Sequence, residues 1–585
     1  MHTGLTPEKT IKKMKDHYLR NGLVADFLLG MAGGIQYRKL VKASKNPAKS
    51  SSETLRSILD YAKDTEYGKA HNFAQILQAK DDKELYRLWQ KNVKLNDYED
   101  FRPLVERHKH GESDLLFPGK PVMYATTSGT TSEPKWIPIT ETYLKNIYGK
   151  MTKVWLYNFI KNRPKVFHGS IVSIVGKKIE GYAPDGTMFG SVSGVTQSDC
   201  PKFVKALYAS PACVYSIEDY TARYYTIMRM GIEKNVHLIV TANPSTIVEM
   251  QNNVNEWFDE YVKDIENGTL TDKIKVPEDI RKEIQTYLSP NPERAAELRQ
   301  LKAKYGKVLP KHYWPELQIL NTWKCGNTKV YLDKFKDSFP EGMLHQEFGY
   351  FASECRFGLV LDDTNYTVLF PHFHYYEFVA EEDIEAANEG KEVRFYQLHE
   401  LVSGKRYCPY VTTFAGLYRY NMNDLVEVAP TGFHNTPRVF MIQKINGIVT
   451  MTGEKLHERQ FIEAVQEASD KLGTPLKFFI GFAELSESRY HFYYEFVDRQ
   501  TPQSKADELN KLVDDILRQK NIEYDAKRKS FRVKDPVAHR LIPESFETFK
   551  AQCIAEGARD GQFKLNLLLQ DEKRHSKFRK LTIEE

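Results

Sequence analysis

The sequence predicts an α/β protein in which a large N-terminal domain, with mixed sheets flanked by helices, precedes a small C-terminal α+β domain. Between residues 121 and 250, strand-like apolar segments at 167–175 and 236–240 alternate with a helical segment at 220–230. This alternation is typical of α/β folds. Strand-like segments return after residue 317, and a shorter region with its own helices and strands follows residue 450.

The first part of the large domain is predicted to be helical. Residues 8–90 contain several helical segments, and residues 45–52 are predicted to form a linker between them. Residues 254–305 are helical and strongly charged. Within them, Asn291 is placed to cap a helix and Pro292 to occupy its first position.

The remaining elements set the domain boundaries. Strands are predicted in the large domain at 317–320, 357–361, 366–370, 375–379 and 407–414. In the small domain, helices are predicted at 458–472 and 506–517, and strands at 477–482 and 490–497. We therefore expect a large domain over residues 1–442, a hinge at 443–447 and a small mobile domain over 448–585.

Composition excludes several classes of protein. The 585 residues carry a net charge of +5, and acids are interleaved with bases, so we expect no nucleic-acid partner. The N-terminus lacks the apolar core of a signal peptide, and no run of about 18 apolar residues occurs, so we expect no membrane partner. We expect a cytoplasmic monomer whose six cysteines are free thiols: Cys200, Cys213, Cys325, Cys355, Cys408 and Cys553.

The first motif is the hydroxyl-rich stretch 125–135, which follows a strand-like segment and ends at Lys135. Backbone N–H groups, hydroxyls and an ammonium on one turn suit a polyphosphate. The stretch does not fit GxxxxGK[ST], which excludes a P-loop, and it resembles the phosphate loop of adenylate-forming enzymes. The alternative is an ordinary Ser/Thr-rich surface loop.

The second motif is the stretch 347–358, which leads into a strand. Its carboxylate Glu354 is a candidate Mg²⁺ ligand, because Mg²⁺ favours one or two carboxylates together with phosphate oxygens. The aromatic rings of Tyr350 and Phe351 could cover an adenine face. The alternative for Glu354 is a loop glutamate that caps a helix.

The third motif is the stretch 415–428, with Asp424 after a turn and before a strand. An aspartate in that position can accept charge-assisted hydrogen bonds from both ribose hydroxyls. The alternative is a turn aspartate bonded to its own backbone. Asn423 precedes it and, because asparagine tolerates a left-handed conformation, can form the required turn.

The chain resembles the Gretchen-Hagen-three acyl acid amido synthetases, the auxin-responsive promoter family of adenylate-forming enzymes, and is most similar to bacterial members. Segments 101–107, 116–119, 411–420, 431–435 and 453–455 carry the resemblance together with the motifs. It implies that ATP·Mg²⁺ and a carboxylic acid form an acyl-adenylate, and that an amino acid then attacks it to give an amide and AMP.

The resemblance also implies residue roles. Tyr350, Ala352 and Ser353 would line the nucleotide pocket, Glu354 would hold Mg²⁺ and Asp424 would bind the ribose. Lys455 would reach the α-phosphate, where charge concentrates as pyrophosphate leaves, and Lys564 would lie near the active site. The residues implied to bind the phosphates are Thr127, Ser128, Gly129, Thr130 and Thr131.

The acid pocket is placed in the middle of the large domain, with Phe189, Ser193 and Asn243 as candidates. Two rival functions stay open at this stage. One is an acyl-CoA synthetase that forms the same adenylate. The other is a nucleotide-binding module without turnover, suggested by Glu133 in the first motif and by Asn423.

Overall fold

The structure is a computed structural model that describes residues 7–126, 135–325, 329–449, 451, 454, 456–529, 533–555 and 565–583. Residues 7–20 are described by their backbone alone. The chain forms two compact units, and the division along the sequence lies between residues 440 and 441, with residues 423–426 also in the smaller unit. The expected hinge at 443–447 stays a prediction.

The larger unit begins with six helices: α1 (Pro7–Lys45), α2 (Pro47–Ala62), α3 (Glu66–Ala70), α4 (Phe73–Ile76), α5 (Asp82–Asn92) and α6 (Tyr98–Lys109). The linker predicted at 45–52 is wrong, because only Asn46 separates α1 from α2. Its side chain accepts a hydrogen bond from the backbone N–H of Lys49, and Pro47 occupies the first turn of α2. The polar stretch was therefore a helix start.

The α/β core follows. Its strands are β1 (Met123–Thr126), β2 (Trp136–Ile139), β3 (Ser170–Ile174), β4 (Gly181–Tyr182), β5 (Met188–Gly190), β6 (Val236–Thr241), β7 (Ile319–Thr322) and β8 (Leu344–Glu347). Its helices are α7 (Gly149–Asn162), α8 (Val192–Ser198), α9 (Lys202–Lys205), α10 (Tyr220–Ile232), α11 (Ser245–Glu256), α12 (Phe258–Asn267), α13 (Glu278–Gln285), α14 (Pro292–Tyr305), α15 (Pro310–Tyr313) and α16 (Lys329–Phe335). A π-helix, Tyr143–Tyr148, leads into α7, and a 3₁₀-helix covers Ala212–Ser216.

These strands form two sheets. One is entirely parallel in the order β3-β6-β7-β8, and helices α10 to α15 pack around it through an apolar core that includes Tyr225, Tyr261 and Trp314. The other has the order β2-β1-β5-β4. The predicted cap of α14 is confirmed, since the side chain of Asn291 accepts from the backbone N–H of Arg294 at 3.1 Å.

A third sheet follows along the chain. Its elements are β9 (Gly358–Leu359), β10 (Thr367–Leu369), β11 (Tyr375–Ala380), α17 (Ile384–Asn388), β12 (Tyr396–Gln397), β13 (Arg406–Thr412), β14 (Tyr420–Asn421), β15 (Asp424–Val428) and β16 (Arg438–Lys444). The strand order is β12-β11-β13-β15-β16-β10-β9, and β14 pairs with β13. Short 3₁₀-helices cover Glu381–Asp383, Leu398–Glu400 and Ile445–Gly447.

The smaller unit is α+β. Its elements are β17 (Ile448–Val449), β18 (Leu456–His457), α18 (Glu458–Leu472), β19 (Leu476–Glu484), β20 (Arg489–Phe496), α19 (Gln503–Lys520), α20 (Ile522–Lys529), β21 (Val537–Arg540), α21 (Ser545–Ala555), β22 (Leu568–Leu569) and α22 (Glu572–Arg579). The sheet order is β21-β20-β19-β22, and β17 pairs with β18. The α18 and β19–β20 predictions are confirmed, and so is the fold class. All six cysteines lie among the described residues, and the structure pairs none of them in a disulfide.

None of the helices among the described residues combines the length and the apolar character needed to cross a bilayer.

Candidate active site

The first motif connects two adjacent antiparallel strands. Thr126 at the end of β1 pairs with Trp136 at the start of β2, so the hydroxyl-rich stretch joins the two strands of a hairpin. The backbone N–H of Trp136 donates to the hydroxyl of Tyr98 at 2.6 Å, which fixes the far side of the hairpin to α6. The candidates Thr127, Ser128, Gly129, Thr130 and Thr131 lie outside the described residues.

The second motif forms a tight turn after β8. Phe351 and Arg356 pair as an antiparallel bridge, and the backbone N–H of Ala352 donates to the carbonyl of Cys355 at 3.0 Å. Ser353 and Glu354 therefore occupy the tip of this turn. Ser353 is half-buried, whereas Glu354 is buried.

Glu347 fixes the start of the turn at the carboxyl end of the parallel sheet. Its carboxylate accepts hydrogen bonds from the backbone N–H of Gly349 at 3.0 Å and from that of Lys324, just after β7. Burial raises the pKa of this carboxyl group, and the two N–H donors oppose that rise. Ligands of α/β proteins bind at this edge of a parallel sheet. The turn of the second motif therefore lies where a ligand-binding site is expected.

Side chains from the three motifs meet in one hydrogen-bonded chain. The ammonium of Lys135 donates to the hydroxyl of Tyr420 at 3.0 Å, although 285 positions separate the two residues. The Tyr420 hydroxyl donates in turn to Oε1 of Glu354 at 3.3 Å. Burial, followed by the charge of Glu354, raises the pKa of Tyr420, so the phenol stays a donor at neutral pH.

Tyr420 was not predicted as a site residue, and Lys135 was singled out only as the ammonium that closes the first motif, although both belong to the predicted motifs. Lys135 closes the hydroxyl-rich stretch, and Tyr420 lies four positions before Asp424. Because the contact depends on tertiary structure, spacing along the chain could not indicate it.

The rings of the second motif already have packing partners. Tyr350 is buried and stacks on Phe357 with centroids 4.2 Å apart. Phe351 contacts Phe348 edge-on and lies 4.2 Å from the guanidinium of Arg356. The predicted contact of Tyr350 with adenine stays a prediction, and one face of its ring is already covered by Phe357.

Arg356 is a buried cation that the sequence did not single out. Its Nη1 donates to the hydroxyl of Thr152 at 2.8 Å, and Nε and Nη2 have no acceptor within the described part of the chain. The guanidinium also lies over the rings of Trp155 and Tyr148, at 5.1 and 5.2 Å. Burial lowers the pKa of Arg356 to about 10, so it is charged at neutral pH.

Asp424 belongs to the smaller unit and is buried. Its Oδ1 lies 2.6 Å from the ammonium of Lys444, which belongs to the same unit and is half exposed. Asn423 has φ = 53°, which confirms the left-handed turn that the sequence predicted. The carboxylate is therefore held at a strand start, as expected, with a lysine beside it that the sequence did not indicate.

Two of the three acid-pocket candidates lie at neighbouring strand ends. Ser193 is in the first turn of α8, and its hydroxyl is 2.7 Å from that of Ser191. A Cβ on Gly176, just after β3, would approach Ser191 to 2.6 Å, so this helix start packs on the end of β3. Asn243 follows β6, the strand that pairs with β3. Phe189 instead packs on Trp136 of β2, with ring centroids 4.5 Å apart.

The catalytic candidates Lys455 and Lys564 lie outside the described residues, but their neighbours in the smaller unit are described. Glu454 is fully buried and accepts from the hydroxyl of Tyr490 at 2.6 Å. Glu458, at the start of α18, accepts from the backbone N–H of Leu567. One carboxylate thus joins the segment that follows Lys455 to the segment that follows Lys564.

Across the described ranges, His, Cys, Asp and Glu side chains nowhere gather in a group of three or more that could bind a metal ion.

Comparison with known structures shows the class of fold. A structure described as AtGH3.15 acyl acid amido synthetase in complex with 2,4-DB has a TM-score of 0.78 at 19% identity, covering 94% of this chain and 96% of that one. A 2-hydroxyisobutyryl-CoA ligase in the postadenylation state has a TM-score of 0.51 at 12% identity, covering 91% and 90%. The fold is that of the acyl acid amido synthetase structures, with a large N-terminal and a smaller C-terminal domain.

Sequence comparison gives the family. The GH3 family N-terminal domain matches residues 36–344, its central domain matches 367–444 and its C-terminal domain matches 459–573. The chain belongs to the GH3 family.

Curated relatives share about a quarter of their residues with this chain. Indole-3-acetic acid-amido synthetase GH3.10 of Arabidopsis thaliana is 26% identical over 469 residues, covering 73% of this chain and 76% of the relative. The 4-substituted benzoates-glutamate ligase GH3.12 of the same plant is 25% identical over 520 residues, covering 83% and 87%. Jasmonoyl--L-amino acid synthetase GH3.5 of Oryza sativa subsp. japonica is 26% identical over 492 residues, covering 77% and 81%.

Proposed function

We propose that this chain is an acyl acid amido synthetase, an ATP-dependent ligase that joins a carboxylic acid to the amine of an amino acid. A carboxylate oxygen attacks the α-phosphorus of ATP, which releases pyrophosphate and leaves an acyl-adenylate. The amine then attacks the acyl carbon, and AMP leaves. The relatives named above are amido synthetases and amino acid ligases, which supports this reaction class.

The chain of hydrogen bonds from Lys135 through Tyr420 to Glu354 carries the proposal. It brings a cation, a phenol and a carboxylate from three distant motifs into one place. A cation suits phosphate oxygens and a carboxylate suits a divalent metal, so this combination serves a metal–nucleotide complex better than it serves folding alone. Adenylation requires mainly such electrostatic stabilisation of the phosphorus as pyrophosphate leaves.

Glu354 is the residue that we propose for Mg²⁺. Its carboxylate is buried and, among the described residues, accepts one hydrogen bond, from Tyr420, so oxygen lone pairs are left for a hard cation. When bound, Mg²⁺ would neutralise phosphate charge. The Tyr420 hydroxyl would hold the Glu354 carboxylate in place, and Lys135 would hold the phenol.

The three motifs are proposed to bind ATP through the residues predicted from the sequence. Thr127, Ser128, Gly129, Thr130 and Thr131 would bind phosphates. Ala352 and Ser353, at the turn of the second motif, would line the pocket with Tyr350, and Asp424 would bind the ribose. The left-handed turn at Asn423 supports this last assignment, because it directs a buried carboxylate to a strand start.

Lys455 and Lys564 would stabilise charge in the two half-reactions from a mobile small domain, with residues 443–447 as its hinge. The hydrogen bond from the backbone N–H of Leu567 to Glu458 joins described residues that follow each of the two lysines, which supports a role for both in the same domain. Lys455→Ala should slow adenylate formation by roughly 10²–10³, the usual cost of one electrostatic donor. It should affect amide formation from supplied acyl-adenylate much less. Equal slowing of both half-reactions would contradict a small domain that takes one position for adenylate formation and another for amide formation.

The acid pocket is proposed at the carboxyl edge of the parallel sheet. Ser193 and Asn243 lie there, and Phe189 is kept as a third candidate. Arg356 and Trp155 add buried N–H donors without acceptors among the described residues. An oxygen of the acid could satisfy them, since buried donors rarely stay unpaired.

The organism group, oligomeric state and cellular location of the protein are also proposed. We propose that the chain is a bacterial member of the family, as the sequence resemblance implies. We also propose a monomer with a cytoplasmic location, on the composition and the free cysteines.

The test is a pyrophosphate-release screen that crosses aromatic, indolic and fatty acids with the common amino acids. Release that depends on an acid, with an amide of the expected mass, supports the proposal. Coenzyme A in place of the amino acid tests the alternative function, an acyl-CoA synthetase, which would form a thioester. If none of the acids in the screen gives pyrophosphate release, a nucleotide-binding module without turnover is favoured instead.

A further inference from the structure

The solvent-exposed face of α1 carries an apolar stripe, which we define as Leu23, Val24, Phe27, Met31 and Ile35. Their exposed fractions range from 42% to 69%, with Phe27 the most exposed. Four of the five recur at intervals of four residues, so they lie along one side of the helix. A contiguous exposed apolar surface of this kind marks an interaction site. The stripe precedes residue 36, where the match to the family's N-terminal domain begins.

The rest of α1 holds this face outward. Ala25 and Leu29 on the opposite side are buried in an apolar cluster with residues of α7 and the parallel sheet. An added Cβ on Gly22 would lie 2.1 Å from the carbonyl oxygen of Phe167, and one on Gly33 would lie 2.4 Å from that of Lys153. Because only glycine permits this approach, α1 cannot rotate to bury the stripe.

Basic residues continue the same exposed face. Between residues 21 and 45, the exposed side chains are the stripe together with Arg38, Lys39, Lys42 and Lys45. The one acid in this stretch, Asp26, is turned toward the body of the unit, with its carboxylate 2.8 Å from Nε2 of His168. The exposed face therefore consists of apolar and basic groups only.

The charge of α1 selects the kind of partner. Residues 7–45 contain nine Lys and Arg against three Asp and Glu, a net charge of +6, whereas the whole chain carries +5. A second copy would bring another strongly positive helix against the first, which is unfavourable. Protein interfaces also have a polar rim, and between residues 21 and 45, where the side chains of α1 are described, this face has no exposed neutral polar residue. Apolar and basic groups on one helix match the headgroup layer of an anionic bilayer.

We infer that α1 docks on an anionic lipid surface, with the apolar stripe inserted among the headgroups and Arg38 to Lys45 paired with lipid phosphates. The helix lies on the bilayer and does not cross it, so this mode differs from the spanning segment that the sequence excludes. It revises the expectation of no membrane partner. It does not depend on the proposed ligase activity.

The test is flotation of the full chain with vesicles of phosphatidylcholine alone and with about 30% phosphatidylglycerol. We expect flotation only with the anionic vesicles. Phe27→Glu/Met31→Glu should weaken partitioning by about a hundredfold or more, because two large apolar side chains no longer leave water. Lys39→Gln/Lys42→Gln should weaken it by about fivefold per charge removed.

The matched control is Leu485→Glu/Val497→Glu, which places the same two charges on exposed apolar positions of the smaller unit, 51% and 60% exposed in the native chain. It should float like the native chain. Thermal unfolding of each variant checks that the fold persists. Three results would overturn the inference: no flotation with anionic vesicles, equal flotation of Phe27→Glu/Met31→Glu, or a native dimer that this variant separates into monomers without any lipid binding.

Discussion

Glu377 and Glu354 are both buried in the larger unit, with exposed fractions of 1% and 9%, yet their hydrogen-bond donors differ sharply. Glu377 accepts from Trp89 Nε1 at 3.0 Å, from Gln90 Nε2 at 3.2 Å and from both Nε and Nη2 of Arg419 at 2.9 and 3.1 Å. Glu354 accepts from the single hydroxyl of Tyr420 among the described residues. Arg419 and Tyr420 are consecutive residues, so one short segment serves both carboxylates.

The number and charge of these donors distinguish a buried carboxylate that stabilises the fold from one that is available to bind a ligand. A buried carboxylate is costly unless donors and an opposite charge replace its water. Glu377 has both within the protein, so it needs no ligand. Glu354 has one neutral donor, so it suits a cation that arrives with substrate. The arginines repeat the contrast, because Arg419 is paired with a carboxylate, whereas Arg356 has no carboxylate partner in the part of the chain that the structure describes.

The largest expected effect concerns Glu377. Glu377→Gln leaves the Arg419 guanidinium buried without an anion, which should lower the free energy of unfolding of the larger unit by about 3–5 kcal/mol. Urea unfolding followed by tryptophan fluorescence measures it. The Mg²⁺ dependence of any remaining activity should be unchanged. A shift in that dependence would mean that the comparison with Glu354 is wrong.

The same substitution at the second carboxylate should give the opposite pattern. Glu354→Gln keeps the side chain's size and should change stability by less than about 1 kcal/mol. Pyrophosphate release should fall by about a hundredfold, because the metal supplies several kcal/mol of stabilisation. High Mg²⁺ or Mn²⁺ should restore part of it. Native rates at low Mg²⁺ in this variant would make Glu354 structural as well.

Asp424 extends the comparison to a third buried carboxylate, one that has a lysine partner. Asp424→Ala should raise the Michaelis constant for ATP by about a hundredfold or more, since two hydrogen bonds to a charged acceptor are lost, each worth roughly 1.5–3 kcal/mol. Lys444→Ala is the control, because it removes the ion pair and keeps the carboxylate. If both variants raise the constant equally, the ion pair and not the ribose contact explains the effect.

The smallest effect is expected at the hydroxyl that links the motifs. Tyr420→Phe removes the donor to Glu354 and the acceptor for Lys135, each a hydrogen bond worth about 1 kcal/mol net. Pyrophosphate release should fall by roughly fivefold to thirtyfold, with a higher Mg²⁺ requirement. Tyr410→Phe, a buried phenol on β13, is the matched control. Loss of activity in both variants with an unchanged Mg²⁺ requirement would indicate a packing defect.

Much of the fold could be predicted from the sequence, because local patterns carry it. The helix predicted at residues 458–472 matches α18, where apolar residues recur at helical spacing before a glycine. The prediction of a linker at 45–52 was wrong because proline is common both in loops and in the first turn of a helix. Here the cap hydrogen bond to the Asn46 side chain starts a helix at Pro47.

The site could be predicted only in part. Motif spacing indicates Glu354 and the turn at Asn423, since local backbone geometry determines both. It cannot indicate that Tyr420 lies between Lys135 and Glu354, because that contact depends on how separate sheets pack. Arg356 was missed for a related reason: a charged residue inside a loop motif is ordinary on a surface, and only its burial makes it unusual.

Glu458 has a consequence for the fate of the reaction intermediate. Its carboxylate ties Leu567 to the first turn of α18, so the segments beyond Lys455 and Lys564 have a common mechanical support. An acyl-adenylate is reactive toward water, and every delay before the amine arrives wastes ATP through hydrolysis. If both lysines act as proposed, this hydrogen bond couples their segments. One movement of the backbone could then withdraw one lysine from the active site as the other enters it. The coupling efficiency of the enzyme, measured as amide formed per pyrophosphate released, would then depend on Glu458, which is proposed to contact neither substrate.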